Sequence, residues 1–229
     1  MSREVKEDIV FKDRRDAGQE LAKELEPYRD SDPLVLAIPR GGVEVGFQVA
    51  KGLDADFSLV IVRKLPYPDQ PEAGFGALAE DGSTVVLDRA TRWVTDETVE
   101  RVIEEQREEI ERRRAVLRKG EPLPEIEGRT VILVDDGIAM GSTMRAAIKL
   151  CRKREAERVI VAVPVAGREV GERFAGDAGG LADELVVLEQ PEFFRAVAQV
   201  YERWYDVPDS EVTALMDAWQ QGREVEGKR

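Results

Sequence analysis

Apolar residues in this chain fall into short unbroken runs separated by segments of helical spacing. Leu34-Val35-Leu36-Ala37-Ile38, Phe57 to Val62, Val131 to Val134, Val159 to Val163 and Glu184 to Leu188 are each of strand length. Runs without polar alternation suit strands covered on both faces, as in parallel sheets. Elsewhere, apolar positions recur every three or four residues. Residues 13–27 place Ala17, Leu21, Ala22 and Leu25 on one face, with Pro27 near the end. Val45, Phe47 to Ala50 and Leu53 mark a second helix. The same reasoning predicts helices over 96–118, 142–154, 168–176, 191–204 and 209–221, with Pro208 between the last two. Residues 65–76 hold Pro66, Pro68, Pro71, Gly74 and Gly76, which predicts a mobile loop. Residues 77–79 and 84–87, flanking Asp81-Gly82, predict a hairpin. Strands alternating with helices give an α/β fold with a central, mainly parallel sheet flanked by helices.

The 96–118 helix carries a seam of Val99, Ile103, Gln106, Ile110, Arg113 and Leu117, spaced alternately four and three. Two polar members leave two readings, a helix lying on its own domain, which is favoured, or a dimer contact.

Composition narrows the chemistry. A length of 229 residues predicts a single domain. The chain has no histidine and one cysteine, Cys151. That excludes an imidazole base, a Ser-His-Asp or Cys-His pair, and a cysteine-based zinc cluster. A net charge of −13 argues against non-specific nucleic-acid binding, which rests on phosphate neutralisation. No apolar run approaches the roughly 18 residues of a membrane span. The start, MSREVKEDIV, lacks the apolar stretch of a signal peptide, so a cytoplasmic location is expected. The acidic, lysine-poor surface is compatible with a salty cytoplasm, and a GC-rich genome gives the same arginine bias.

One segment concentrates candidate chemistry, Val131-Ile132-Leu133-Val134-Asp135-Asp136-Gly137-Ile138-Ala139-Met140-Gly141-Ser142-Thr143. A buried strand delivers two adjacent carboxylates at its end, where ligands of open α/β sheets bind. Carboxylates there can accept hydrogen bonds from a vicinal diol. Gly137 and Gly141 permit a tight backbone. Ser142 and Thr143 then open a helix whose free N–H groups can hold a phosphate. A diol receptor beside a phosphate receptor describes a pocket for ribose 5-phosphate.

These residues resemble the signature of the type I phosphoribosyltransferases, which bind phosphoribosyl pyrophosphate (PRPP). Ile38-Pro39-Arg40-Gly41-Gly42 is similar to the family's pyrophosphate loop, and Val62-Arg63-Lys64-Leu65 to the strand end leading into its flexible catalytic loop. The likeness covers roughly residues 34–165. A group of predicted phosphoribosyltransferases also shares the long charged helix and a segment like Pro191-Glu192-Phe193-Phe194.

The resemblance implies a core of about 31–165, a flexible hairpin loop, a small hood from 1–30 and 164–200, and C-terminal helices within 191–221. It implies transfer from Mg-PRPP to a nitrogenous acceptor with release of pyrophosphate, the magnesium (Mg2+) being carried on the substrate. Asp135 and Asp136 would hold the ribose hydroxyls. Ala139, Met140, Gly141, Ser142 and Thr143 would anchor the 5-phosphate. Arg40, Gly41, Gly42, Arg63 and Lys64 would receive the pyrophosphate, with Arg40 and Lys64 also acting in catalysis. Phe193 and Phe194 are candidates for a base-stacking wall. Homodimers are common in such proteins.

Two positions depart from the pattern. Met140 stands where a Thr or Ser is usual, and losing that hydroxyl removes a hydrogen bond to a charged group, about 1.5–3 kcal/mol. Ala139 stands where 6-oxopurine members have an Asp, which argues against hypoxanthine or guanine. Two alternatives therefore stay open, a PRPP- or nucleotide-binding regulatory protein without turnover, and a hydrolase acting on PRPP or a nucleotide.

Overall fold

A computed structural model describes residues 10–87, 94–174 and 181–226. Five parallel strands form the main sheet: β1 (Leu34–Ala37), β2 (Asp56–Leu59), β6 (Thr130–Val134), β7 (Arg158–Val165) and β8 (Glu184–Glu189), in the order β2-β1-β6-β7-β8. The register sets Ala37 beside both Leu59 and Val134, so three strand ends share one edge. A second, antiparallel sheet is built from β3 (Val62–Tyr67), β4 (Gln70–Ala79) and β5 (Thr84–Val86).

Alternate residues of the main sheet feed two cores. Val35, Ala37, Ile132 and Val134 pack with α1 (Arg14–Glu24), α2 (Gly42–Leu53), α3 (Asp96–Leu117) and α6 (Asp209–Glu226). Leu34, Leu36, Val131 and Leu133 pack with α4 (Ser142–Lys153), and Phe174 of α5 (Arg168–Phe174) joins them. The small sheet extends both cores. Leu65, Phe75 and Leu78 join the first, while Val62, Ala77 and Ala79 join the second. The seam of α3 lies on this chain's own core, with Ile110, Arg113 and Leu117 buried and Val99 and Ile103 packed alongside.

Three sequence expectations change. The run Phe57–Val62 is two strands in two sheets. Every residue from Phe57 to Val62 is buried, so apolarity alone carries no sign of the switch. The link satisfies its polar groups one by one. The Val60 amide donates to the Ala37 carbonyl at 3.0 Å and the Ile61 amide to Glu80 Oε1 at 2.9 Å. Arg118 donates to the Leu59 carbonyl at 2.8 Å and to Glu80 at 2.6 Å, both charged side chains being buried.

Residues 65–76 are not an irregular loop but most of the β3–β4 hairpin. Its prolines cluster toward the turn, where the register shifts around Pro66, and such irregular positions tolerate proline. The buried pair Leu65 and Phe75 anchors the strands below. The expected turn at Asp81-Gly82 is present, with Gly82 at φ +84°.

The expected helix over 191–204 is reduced to a single 3-10 turn, Val197–Val200. Its backbone turns outward to residues 10–12 instead. Val10 and Phe11 amides donate to the Val200 carbonyl, and Glu202 and Arg203 amides donate back to Phe11 and Lys12. Of the expected hood, residues 1–9 and 175–180 lie outside the described residues, as does the end of the 168–176 helix.

Candidate active site

β6 ends at Val134 and delivers Asp135 and Asp136 to the sheet edge. The Asp136 amide caps Asp135 Oδ1 at 2.8 Å. Next to them, the chain leaves β1 through a cis Pro39–Arg40 peptide and enters α2 at Gly42. The two strand ends meet too closely for side chains. A Cβ on Gly41 would stand 1.9 Å from Asp136 Oδ2, and one on Gly42 would stand 2.8 Å from the Asp135 Cα. Glycine is required here by proximity rather than by backbone angle.

Asp136 turns toward α1. Arg14 is 4% exposed and its Nε donates to Asp136 Oδ2 at 2.8 Å. The same guanidinium donates to the Tyr205 carbonyl at 3.1 Å and lies 4.0 Å from the Trp204 ring centroid. The Tyr201 hydroxyl donates to the Asp136 backbone carbonyl at 2.7 Å. Burial and the adjacent Asp136 carboxylate push Asp135 well above the usual carboxylate range. Burial raises Asp136 as well, against the pull of Arg14. Burial also raises Tyr201, so its hydroxyl remains a donor.

After the acid pair, residues 137–141 run to the start of α4. The Ile138 amide donates to the Val165 carbonyl at 2.9 Å. Gly141 sits at φ +77°, with the Phe174 ring pressed where a Cβ would go. This positive φ favours glycine. Ser142 then begins α4, whose first turn has no side-chain cap, so its N–H groups can receive an anion.

A cavity of ≈ 570 Å³ lies between this loop and the small sheet. Asp135, Ala139, Met140, Gly141, Ser142 and Thr143 line one side, and Lys64, Tyr67 and Gly74 line the other. The sequence-derived phosphate loop, one acid and one lysine thus come together. Asp136, Gly41 and Gly42 stand directly behind Asp135. Arg40 points toward α6, its guanidinium 3.6 Å from Asp209. Arg63 alternates to the opposite face of β3 from Lys64 and donates to Gln106 of α3 at 3.1 Å. Burial, then the nearby Arg113, lowers the pKa of Arg63. Phe193 is 69% exposed, and Phe194 packs against Gly167, so neither lines the cavity. Val197 lines it instead. Arg14, Tyr201 and Val197 were missed in the sequence, because they reach the site only through long-range packing.

Comparison with known proteins decides the family. The model of the phosphoribosyl transferase domain matches residues 10–175. The chain belongs to the phosphoribosyl transferase domain family. Two Mycobacterium tuberculosis proteins, from strains CDC 1551 / Oshkosh and H37Rv and provisionally named phosphoribosyl transferases, are each 40% identical to it over 210 residues. Those matches cover 91% of this chain and 46% of each relative, so the chain spans about half the length of the curated relatives it matches. TT1426 from Thermus thermophilus is 38% identical, covering 92% of this chain and 99% of that one, with a TM-score of 0.76. The phosphoribosyl transferase fold accounts for the five-stranded parallel sheet flanked by helices. No described helix of this phosphoribosyl transferase domain is long and apolar enough to cross a membrane.

Proposed function

We propose that this chain transfers the phosphoribosyl group of Mg-PRPP to a nitrogenous acceptor and releases pyrophosphate. One observation carries the reading: Asp135, the 139–143 loop and Lys64 line a single cavity. The 5-phosphate sits on the first-turn amides of α4, with the Ser142 and Thr143 hydroxyls beside it. The acid pair places negative charge near the sugar ring as it gains oxocarbenium character at the anomeric carbon. Such placed charge acts on the transition state without a protein nucleophile. Arg40 and the Gly41 and Gly42 amides receive the pyrophosphate. Lys64 offsets the charge that builds on the leaving group, while Arg63 adds to the positive field from the α3 side.

Magnesium fits this donor set as a substrate-borne ion. Among the described residues no group of three or more acidic side chains is arranged to hold a metal. The single carboxylate on the cavity wall, Asp135, offers a hard oxygen that suits the retained waters of Mg2+. When bound, the ion neutralises phosphate charge. The acceptor wall is drawn from Val197 and Tyr67, which line the cavity, rather than from Phe193 and Phe194, which do not.

The test is Mg-dependent PRPP binding by calorimetry, at low and at molar salt, followed by a pyrophosphate-release screen across nucleobases. Saturable binding with acceptor-dependent release is expected. Substituting Asp135→Asn together with Asp136→Asn should cut turnover by more than about a hundredfold with the fold intact. Near-normal turnover in that double variant overturns the assignment. Met140, 68% exposed on the cavity in place of a usual hydroxyl, favours a second reading. Binding without turnover would identify a PRPP or nucleotide sensor, and release of ribose 5-phosphate a hydrolase.

A further inference from the structure

The acid pair is not symmetric. Asp135 lies on the cavity wall, whereas Asp136 is drawn behind it between a buried arginine and the pyrophosphate loop. We propose that Arg14 is a positioning residue that divides the pair: it withdraws Asp136 from the sugar site and locks it against Gly41, leaving Asp135 as the carboxylate that receives the ribose diol. The inference rests on the PRPP reading of the cavity.

The geometry supports each half. Arg14 is held on three sides, by Asp136, by the Tyr205 carbonyl and by the Trp204 face. A guanidinium so fixed offers its Nε in one direction only. On the far side, Asp136 Oδ2 occupies the space that a Cβ at position 41 would need. The carboxylate therefore cannot swing toward the cavity without leaving Arg14 buried and unpaired, which is costly. The Asp136 main chain is pinned as well, by the Tyr201 hydroxyl. The charged and titratable groups around Asp136 are Arg14 from α1, Asp135 from its own strand end, and Tyr201 from the segment after the 3-10 turn. Glu44 of α2 senses Arg14 from the other side.

The arrangement has a functional logic. Two adjacent carboxylates repel, and one of them would tend to hold a proton. A fixed cation on one member favours its ionised form, against the burial that raises it, and makes it a brace. It also joins the sugar site to the pyrophosphate loop through a single side chain.

Two measurements on the full chain test this. The first needs no ligand: carbon-13 NMR of aspartate-labelled protein follows the carboxyl titrations in wild type, Arg14→Gln and Arg14→Lys, with Asp135→Asn and Asp136→Asn assigning the signals. In Arg14→Gln the Asp136 midpoint should rise by about one pH unit or more, and Arg14→Lys should recover much of that rise. An unchanged Asp136 midpoint in Arg14→Gln overturns the role of Arg14. The second is Mg-PRPP calorimetry. Asp135→Asn should lose about a hundredfold in affinity and Asp136→Asn about tenfold or less. Equal losses in the two aspartate variants overturn the division of the pair. If wild type does not bind PRPP, the reading of the cavity falls and the diol assignment falls with it, while the NMR titration still decides whether Arg14 governs Asp136.

Discussion

At the scale of single residues, the site trades stability for chemistry at Asp135. Its pKa in the folded chain is raised by burial and by Asp136. Above that raised value the ionised carboxylate opposes folding, and as pH falls through it protonation removes the penalty. Asp135→Asn should therefore raise the melting temperature of the ligand-free protein at about pH 8 by a few degrees. The gain should narrow as pH falls toward about 4, the unfolded aspartate value. Thermal melts across this range check the sign; a variant less stable than wild type at alkaline pH would refute it. This scale also shows what the sequence could convey. Asp135, the glycines and Ser142-Thr143 are contiguous, so their chemistry is legible as a string. Arg14 lies 122 positions from Asp136 and Tyr201 lies 65 away, and only packing brings them together. Phe193 and Phe194 looked like a stacking wall by residue type, yet the 3-10 turn at Val197 carries a different side chain to the cavity.

At the scale of elements, the main sheet was readable because β1, β6 and β7 are short buried runs and the half-buried β8 is still an unbroken apolar run, Leu185 to Leu188. Of the small sheet only the β4–β5 hairpin was, because the prolines of the β3–β4 hairpin imitate a loop and β3 continues an apolar run without a break. The switch between sheets depends on the buried Arg118–Glu80 pair, which holds groups from the Leu59 carbonyl to the Ile61 amide. Arg118→Leu leaves the buried Glu80 with only the longer Arg114 contact, at 3.5 Å, to balance its charge, and should cost about 3 kcal/mol. The exposed Arg101–Glu105 pair on α3 makes the control, and Arg101→Leu should change stability by less than about 0.5 kcal/mol. Urea unfolding of both variants tests the contrast; equal losses would mean that the switch is held by its apolar neighbours instead.

At the scale of the whole molecule, the start of the described chain and the segment before α6 converge on the sheet edge. Residues 10–14 and 197–205 are joined by backbone hydrogen bonds and by the Arg14–Trp204 contact, and together they cover the acid pair from behind. Helical spacing over 191–204 hid this, since residues that pack on an extended segment can show the same apolar positions as a helix. The net charge of −13 acts on the molecule as a body. Self-repulsion at that charge is screened by salt, so raising potassium chloride from about 0.05 M to about 0.5 M should raise the melting temperature by a few degrees. A flat or falling melting temperature over that range would show that local ion pairs outweigh net repulsion. The crowding at Gly41 carries a consequence for descent. A side chain at position 41 is barred while Asp136 lies against it, and Asp136 lies there while Arg14 holds it. The three positions are therefore tied together in packing: in a lineage that gives up the arginine, the contact that presses the aspartate against position 41 is released, and only their roles toward the ligand hold the aspartate and the glycine in place.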